Sequence, residues 1–156
     1  ALAQSIQSHI EALDFTPDKV LMSYHGVPKA YLDKGDPYHC HCHKTTRLVA
    51  EKLGWTDGFA MTTFQSRFGP TEWLKPYTDK MLETLPEQGM KNVVIVSPAF
   101  ISDCLETLEE LAMEGRESFI EAGGEHYSVV PCLNDSAAAI DVIADVVHRE
   151  TAGWVS

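Results

Sequence analysis

The stretch NVVIVS at residues 92–97 leads directly into SPAFISDCLETLEEL, which runs from residue 97 to residue 111. Its run of β-branched residues is typical of a buried strand. Residues 103–122 predict a long helix, which Gly123 and Gly124 would end. A buried strand followed at once by a helix is the repeating unit of a parallel α/β sheet.

The same unit recurs on both sides of this stretch. Strands are predicted at residues 19–24 (KVLMSY), 58–64 (GFAMTTF) and 127–131 (YSVVP), and helices at residues 1–13, 45–53, 77–88 and 136–149. Four strands, each followed by a helix, predict an α/β fold: a four-stranded parallel sheet flanked by helices on both faces. Because no internal repeat or linker-like stretch divides the chain, we expect residues 1–156 to form a single domain.

Composition excludes several classes of protein. A hydrophobic fraction of 44% predicts a packed core rather than disorder, and a formal net charge of -11 argues against a nucleic-acid partner. The sequence has no run of 18 apolar residues, so it predicts no transmembrane segment. The first ten residues do not resemble a secretory signal, and four cysteines are too few for a disulfide scaffold. We therefore expect free thiols and a cytoplasmic location.

Candidate functional residues follow the predicted strands, because ligands of parallel sheets bind outside the carboxyl ends of the strands. His25 comes directly after the first strand, where a neutral imidazole can bind a metal or take a proton. Its ring can equally cap the strand by a hydrogen bond to the backbone. Phe64 ends the second strand, and Phe68 and Trp73 follow it. These aromatic side chains could stack on a flat ligand or pack into the core.

The helix after the third strand carries a stripe of carboxylates. Its acidic residues are spaced 3, 4, 4 and 3 apart, which places them on one face of an α-helix: Asp103, Glu106, Glu110, Glu114 and Glu117. Such a stripe can bind a divalent cation or can be a solvated helix face. His25 and Glu106 come from neighbouring strand ends and could face each other across a cleft, where they would hold a cation or accept protons.

Four segments resemble the ferrochelatase family: SYHGVPKAYLDKGDPY (residues 23–38), TTFQSRFGPTEWLKPYTD (62–79), SPAFISDCLETLEEL (97–111) and PCLND (131–135). The resemblance extends over residues 19–149. It implies the chelatase fold, in which two similar α/β halves enclose a porphyrin, and it implies insertion of ferrous iron into protoporphyrin IX to form protoheme. Because a ferrochelatase is roughly twice this length, the chain would be the C-terminal half, and the N-terminal half would be missing from it.

The resemblance also implies roles for particular residues. It implies that His25 and Glu106 are catalytic, and that Glu110 and Glu114 continue an acidic line that conducts metal or protons. The implied metal ligands are thus His25, Glu106, Glu110 and Glu114, and the implied porphyrin-binding residues are Phe64 and Phe100.

Some ferrochelatases carry a [2Fe–2S] cluster, which needs four ligands. The four cysteines of this chain, Cys40, Cys42, Cys104 and Cys132, could supply them or could be free thiols. Peripheral membrane association and dimerisation are also left open by the sequence.

Two other functions fit the residues. One is a small homodimeric chelatase that acts on another tetrapyrrole, with His25 of both subunits facing one cleft. The other is a non-catalytic α/β module whose acidic helix stores or passes cations.

Overall fold

In a computed structural model, which describes residues 1–154, four parallel strands form a sheet with helices on both faces. The strands are β1 (Lys19–His25), β2 (Ala60–Gln65), β3 (Asn92–Val96) and β4 (His126–Val129), in the spatial order β2-β1-β3-β4. Val20 of β1 lies opposite Ala60 of β2 on one side and Val94 of β3 on the other. The predicted α/β fold with a four-stranded parallel sheet is confirmed.

The helices are α1 (Leu2–Glu11), α2 (Lys29–Asp33), α3 (Tyr38–Leu53), α4 (Thr78–Thr84), α5 (Arg116–Glu121) and α6 (Ala137–Glu150), with a 3₁₀-helix at Pro86–Gln88 and a π-helix at Glu106–Gly115. Successive side chains of a strand point to opposite faces of the sheet. Val20 and Met22 therefore pack with α1 and α3, whereas Leu21 packs with α4, the π-helix and α5. The result is a three-layer arrangement with one apolar core on each face of the sheet.

One helix begins earlier than predicted, and one short helix was not predicted. Helix α3 begins at Tyr38 rather than at residue 45, and α2 was not predicted. In the first turns of α3 the only buried side chain is Cys42, so the apolar periodicity that indicates a helix is weak there. In α2 no residue is buried, which removes that signal altogether.

The largest difference concerns the acidic segment. Residues 103–122 were predicted as one α-helix, but Glu106–Gly115 is a π-helix that continues as α5. A π-helix has i→i+5 hydrogen bonds and more residues per turn than the 3.6 of an α-helix. Side chains four residues apart still share one face of such a helix, so Glu106, Glu110 and Glu114 all line the same cleft.

The last helix leaves an apolar stripe exposed. Ser136 is the N-cap of α6, because its side chain accepts a hydrogen bond from the backbone N–H of Ala139. Beyond it, Ile140, Ile143 and Val147 are all about half exposed. Within residues 1–154, no helix is both long enough and apolar enough to cross a membrane. Among the described residues, the α6 stripe is an apolar surface that is largely open to solvent.

Gly115 joins the π-helix to α5 at a point where the backbone is tightly packed. A Cβ atom there would lie 2.7 Å from the hydroxyl oxygen of Tyr127 and 3.2 Å from Cδ1 of Leu82. That hydroxyl donates to the carbonyl of Leu111 at 2.7 Å, so it cannot move without losing a buried hydrogen bond. Gly115→Ala is therefore expected to lower the free energy of unfolding by about 1–3 kcal/mol, measured by urea denaturation.

The matched control is the neighbouring Glu114→Ala, because Glu114 is exposed and its truncation should change stability by less than about 0.5 kcal/mol. Equal stability of Gly115→Ala and the original chain would contradict this close packing.

Candidate active site

A cleft of about 460 Å³ opens between the end of β2 and the π-helix. Its β2 side includes Ser66 and Phe68, and its π-helix side includes Glu106, Glu110 and Glu114. The cleft lies at the carboxyl end of the sheet, where the topology predicts a ligand site. Three of the predicted acidic residues thus line one cavity.

Glu110 is fixed by the residue that follows β2. The backbone N–H of Ser66 donates to Glu110 Oε1 at 2.7 Å, and the Ser66 hydroxyl donates to Oε2. Ser66 has a φ of 58°, in the left-handed region that residues other than glycine seldom adopt. This backbone conformation directs both of its donors at one carboxylate, and hydrogen bonds to a charged acceptor are stronger than neutral ones.

Gln65 connects the sheet to the start of the π-helix. Its Oε1 accepts from the Ser23 hydroxyl at 2.8 Å, while its Nε2 donates to the Glu106 carbonyl at 2.9 Å. The Ser23 hydroxyl also lies 2.8 Å from that of Thr78 on α4. A buried network whose members are satisfied in this way rigidifies its surroundings. The position of Glu106 is therefore tied to β1 and β2.

His25 ends β1, directly opposite Gln65 in the sheet register. Its Nδ1 lies 2.6 Å from the carbonyl oxygen of Gly26, and its ring centroid lies 6.2 Å from that of Phe100. A carbonyl oxygen can only accept, so Nδ1 carries the proton and Nε2 carries a free lone pair. The ring therefore contacts backbone, as a strand cap would, and still offers a nitrogen to a proton or a metal.

Glu106 lies near His25 at the mouth of the cleft. A hydrogen bond from the Cys104 thiol lowers the pKa of the Glu106 carboxyl below its ordinary value, helped by its own backbone amide and by the proximity of His25. The carboxylate is therefore ionised at neutral pH. His25 itself lies outside the residues that line the cleft. The structure thus brings the two predicted catalytic residues to one edge of the sheet.

The outer members of the acidic stripe have other positions. The carboxylate of Asp103 accepts from the Asn134 amide at 2.8 Å and from the Thr107 hydroxyl at 3.1 Å. Burial alone would raise the pKa of Asp103, but these bonds and those from Cys132 outweigh it and lower the pKa. Glu117 belongs to α5 and does not line the cleft. The five-residue stripe is thus divided, and only its central part faces the cavity.

The two aromatic residues predicted to bind porphyrin differ in accessibility. Phe100 is half-buried beside His25, but Phe64 is only 2% exposed and packs between Tyr24 and His39. Contact of Phe64 with a ligand stays a prediction. Both Phe64 and Phe68 border the cleft, and Phe68 is the more accessible of the two, at 70% exposed.

Phe68 is one of the aromatic residues that the sequence places after the second strand, whereas Gln65 and Ser66 were given no role there. The alternation of side chains along a strand could have indicated which face of the sheet Gln65 occupies, because the consecutive side chains of Phe64 and Gln65 must point to opposite faces. The left-handed turn at Ser66 has no comparable signal in the sequence.

The cysteines do not form a preformed cluster site. Cys40 and Cys42 lie on α3, and burial raises the pKa of Cys42 to about 11. Burial, together with Asp103, raises the pKa of Cys132 to about 12. Among residues 1–154, no three His, Cys, Asp or Glu side chains gather as a metal site. A four-cysteine [2Fe–2S] cluster therefore stays a prediction.

Comparisons with known proteins agree with these features. A family model described as Ferrochelatase matches residues 1–151. Curated ferrochelatases from Allorhizobium ampelinum, Mesorhizobium japonicum and Rhizobium meliloti are 57%, 56% and 54% identical to the chain. Each match covers 99% of this chain but only 45%, 44% and 46% of the respective relative. The chain thus spans about half the length of the curated relatives it matches.

A solved structure shares the fold. It is a CbiX protein from Marinobacter aquaeolei assigned to cobalamin (vitamin B12) biosynthesis, with a TM-score of 0.55 and 17% sequence identity. The match covers 86% of this chain and 97% of the CbiX chain. At this identity the likeness concerns the fold alone.

Proposed function

The chain belongs to the ferrochelatase family, and we propose that it supplies one wall of an active site that inserts ferrous iron into protoporphyrin IX to form protoheme. The observation that carries this proposal is the row of carboxylates lining the cleft, in which Glu106 is the member that interacts with His25. The opposite wall would come from a second α/β half, since the relatives are about twice as long.

The reaction requires groups that accept two protons. When iron bonds to the four nitrogens of the macrocycle, the two pyrrole N–H protons must leave. The free Nε2 of His25 can take one, and the ionised carboxylate of Glu106 can take the other. One wall thus provides an acceptor for each proton. A metal contact to either group would precede that transfer without changing the proton balance.

Iron must also reach the macrocycle partly stripped of water. Glu110 and Glu114 line the cleft behind Glu106 and provide oxygen ligands for a divalent cation. Because two hydrogen bonds from Ser66 hold the Glu110 carboxylate in place, Glu110 would be a fixed ligand rather than a mobile side chain. We assign to these two residues the passage of iron or protons along the π-helix.

The macrocycle must be bent so that its nitrogen lone pairs point toward the metal. Binding energy from groups away from the nitrogens sustains such a distortion. Phe100, beside His25, is the residue of this wall to which we assign porphyrin contact. Phe64 would contribute to the porphyrin site indirectly, because its buried ring packs in the core and supports the end of β2.

This proposal predicts a divalent cation at His25 and Glu106, with weaker sites along Glu110 and Glu114. Crystals soaked with Co²⁺ or Zn²⁺ should show an anomalous peak between His25 and Glu106. Glu106→Gln should abolish that peak because a neutral amide is a poor ligand. The matched control Glu117→Gln should leave the peak unchanged, since Glu117 does not line the cleft. Metal found only on the exposed face of α3 would count against the proposed site.

A further inference from the structure

Two histidines on α3 have no part in the proposed reaction. His39 and His43 are one helical turn apart, and their Nε2 atoms lie 3.2 Å from each other. Their ring centroids are 4.4 Å apart with the ring planes inclined by 49°. Residues at i and i+4 share a helix face, and two histidines at this spacing are a known zinc-binding arrangement.

The pair rests on a rigid base. The His39 ring stacks on Phe64, with centroids 5.9 Å apart and planes inclined by 18°, and the His43 ring lies 6.4 Å from the same ring. Because Phe64 is only 2% exposed, it cannot move aside easily. Ligands held in this way lose little rotamer freedom on binding a metal.

The distance suits a shared metal ion. Two metal–nitrogen bonds of about 2.0–2.1 Å that meet at roughly 100° span about 3.2 Å between the nitrogens. Burial and the neighbouring His39 lower the pKa of His43, so its ring is neutral at neutral pH. The ring that carries its proton on Nε2 needs only to shift it to Nδ1, and then both Nε2 lone pairs face the metal.

We propose that His39 and His43 form a second metal site, which binds a first-row divalent transition-metal ion through both Nε2 atoms, with water in the remaining positions. Imidazole ligands suit zinc, copper, nickel and iron, whereas magnesium and calcium prefer oxygen. Phe64 and Gln65 point to opposite faces of β2, so this site lies on the α3 face and the acidic cleft lies on the other. The site goes beyond the proposed insertion activity and does not depend on it.

The test is a Zn²⁺ titration, measured by calorimetry, of the full-length protein that contains this chain. In a His25→Gln background, which removes the proposed catalytic ligand, the tightest zinc site that remains should be the His39–His43 pair. His39→Gln or His43→Gln should weaken that site by roughly tenfold or more, because each removes one of two protein ligands. His41→Gln is the matched control, since His41 is exposed on the same helix outside the pair, and it should leave the affinity unchanged. Mg²⁺ should not compete.

A crystal of the unaltered protein soaked in Zn²⁺ provides a second measurement that needs no variant. We expect an anomalous peak within about 2.0–2.1 Å of both Nε2 atoms. Unchanged affinity in His39→Gln and His43→Gln, equal loss in His41→Gln, or a soaked crystal without metal at the pair would each overturn the proposal. The two proposed metal sites are tested by different variants and by anomalous peaks at different positions. A negative result at the His39–His43 pair therefore leaves the His25–Glu106 proposal intact, and the reverse also holds.

Discussion

Replacing Glu106 with glutamine in a full-length protein should lower kcat for iron insertion by roughly 10²- to 10⁴-fold, the usual contribution of a proton-transferring side chain. The amide keeps the size of the side chain but can neither accept a pyrrole proton nor carry charge. The network that positions residue 106 uses its backbone carbonyl, to which Gln65 donates. The local structure should therefore survive the substitution.

The control is Glu117→Gln, which changes the net charge by the same amount on the same helical segment but outside the cleft. Its kcat should stay within about twofold, and both variants should unfold at the same urea concentration as the original. If Glu106→Gln only weakened metal binding while turnover persisted, the carboxylate would be a passive cation ligand. That result would favour the non-catalytic reading of the acidic helix.

The sheet could be predicted because its two central strands, β1 and β3, are buried on both faces. Residues 93–96 are all buried, so nothing polar interrupts the β-branched run that marks β3. The strand order then places the ends of β1 and β3 side by side, which is why His25 could be matched with residues that follow β3.

The π-helix could not be predicted on the same grounds. Over ten residues, an apolar pattern of period 3.6 and one of a slightly longer period are nearly the same, so Leu111 and Phe119 fit either helix. The hydrogen bonds that hold Glu110 come from the turn at Ser66, more than forty residues away in the sequence. Local patterns carry no information about such a partner.

This chain on its own should insert metal on the order of 10³-fold more slowly than a full-length two-half protein, since distortion and positioning worth about 4 kcal/mol would be lost. His25, Glu106 and the acidic cleft all belong to one wall. Bending the macrocycle needs contacts on its other side and edges. Without them, both turnover and porphyrin affinity should fall.

The surface of the chain supports this expectation. Leu105, Leu108 and Met113 project from the π-helix segment with 69%, 56% and 67% of their surfaces exposed. Together with the α6 stripe, they are large apolar side chains open to solvent. We infer that the part of the relatives that this chain does not span would cover such surfaces. In its absence we expect self-association of the isolated chain.

Two measurements on the same samples distinguish the alternatives for the isolated chain. They are the steady-state rate of zinc or iron insertion into protoporphyrin and the molecular mass by light scattering. A weakly active chain that associates irregularly fits a half whose packing surfaces lack their partner. A monomer with the activity of the full-length protein would refute the need for a second wall. An active dimer would instead indicate the small homodimeric chelatase, because a two-fold axis would supply the second wall from a copy of the first and place both His25 rings on one cleft.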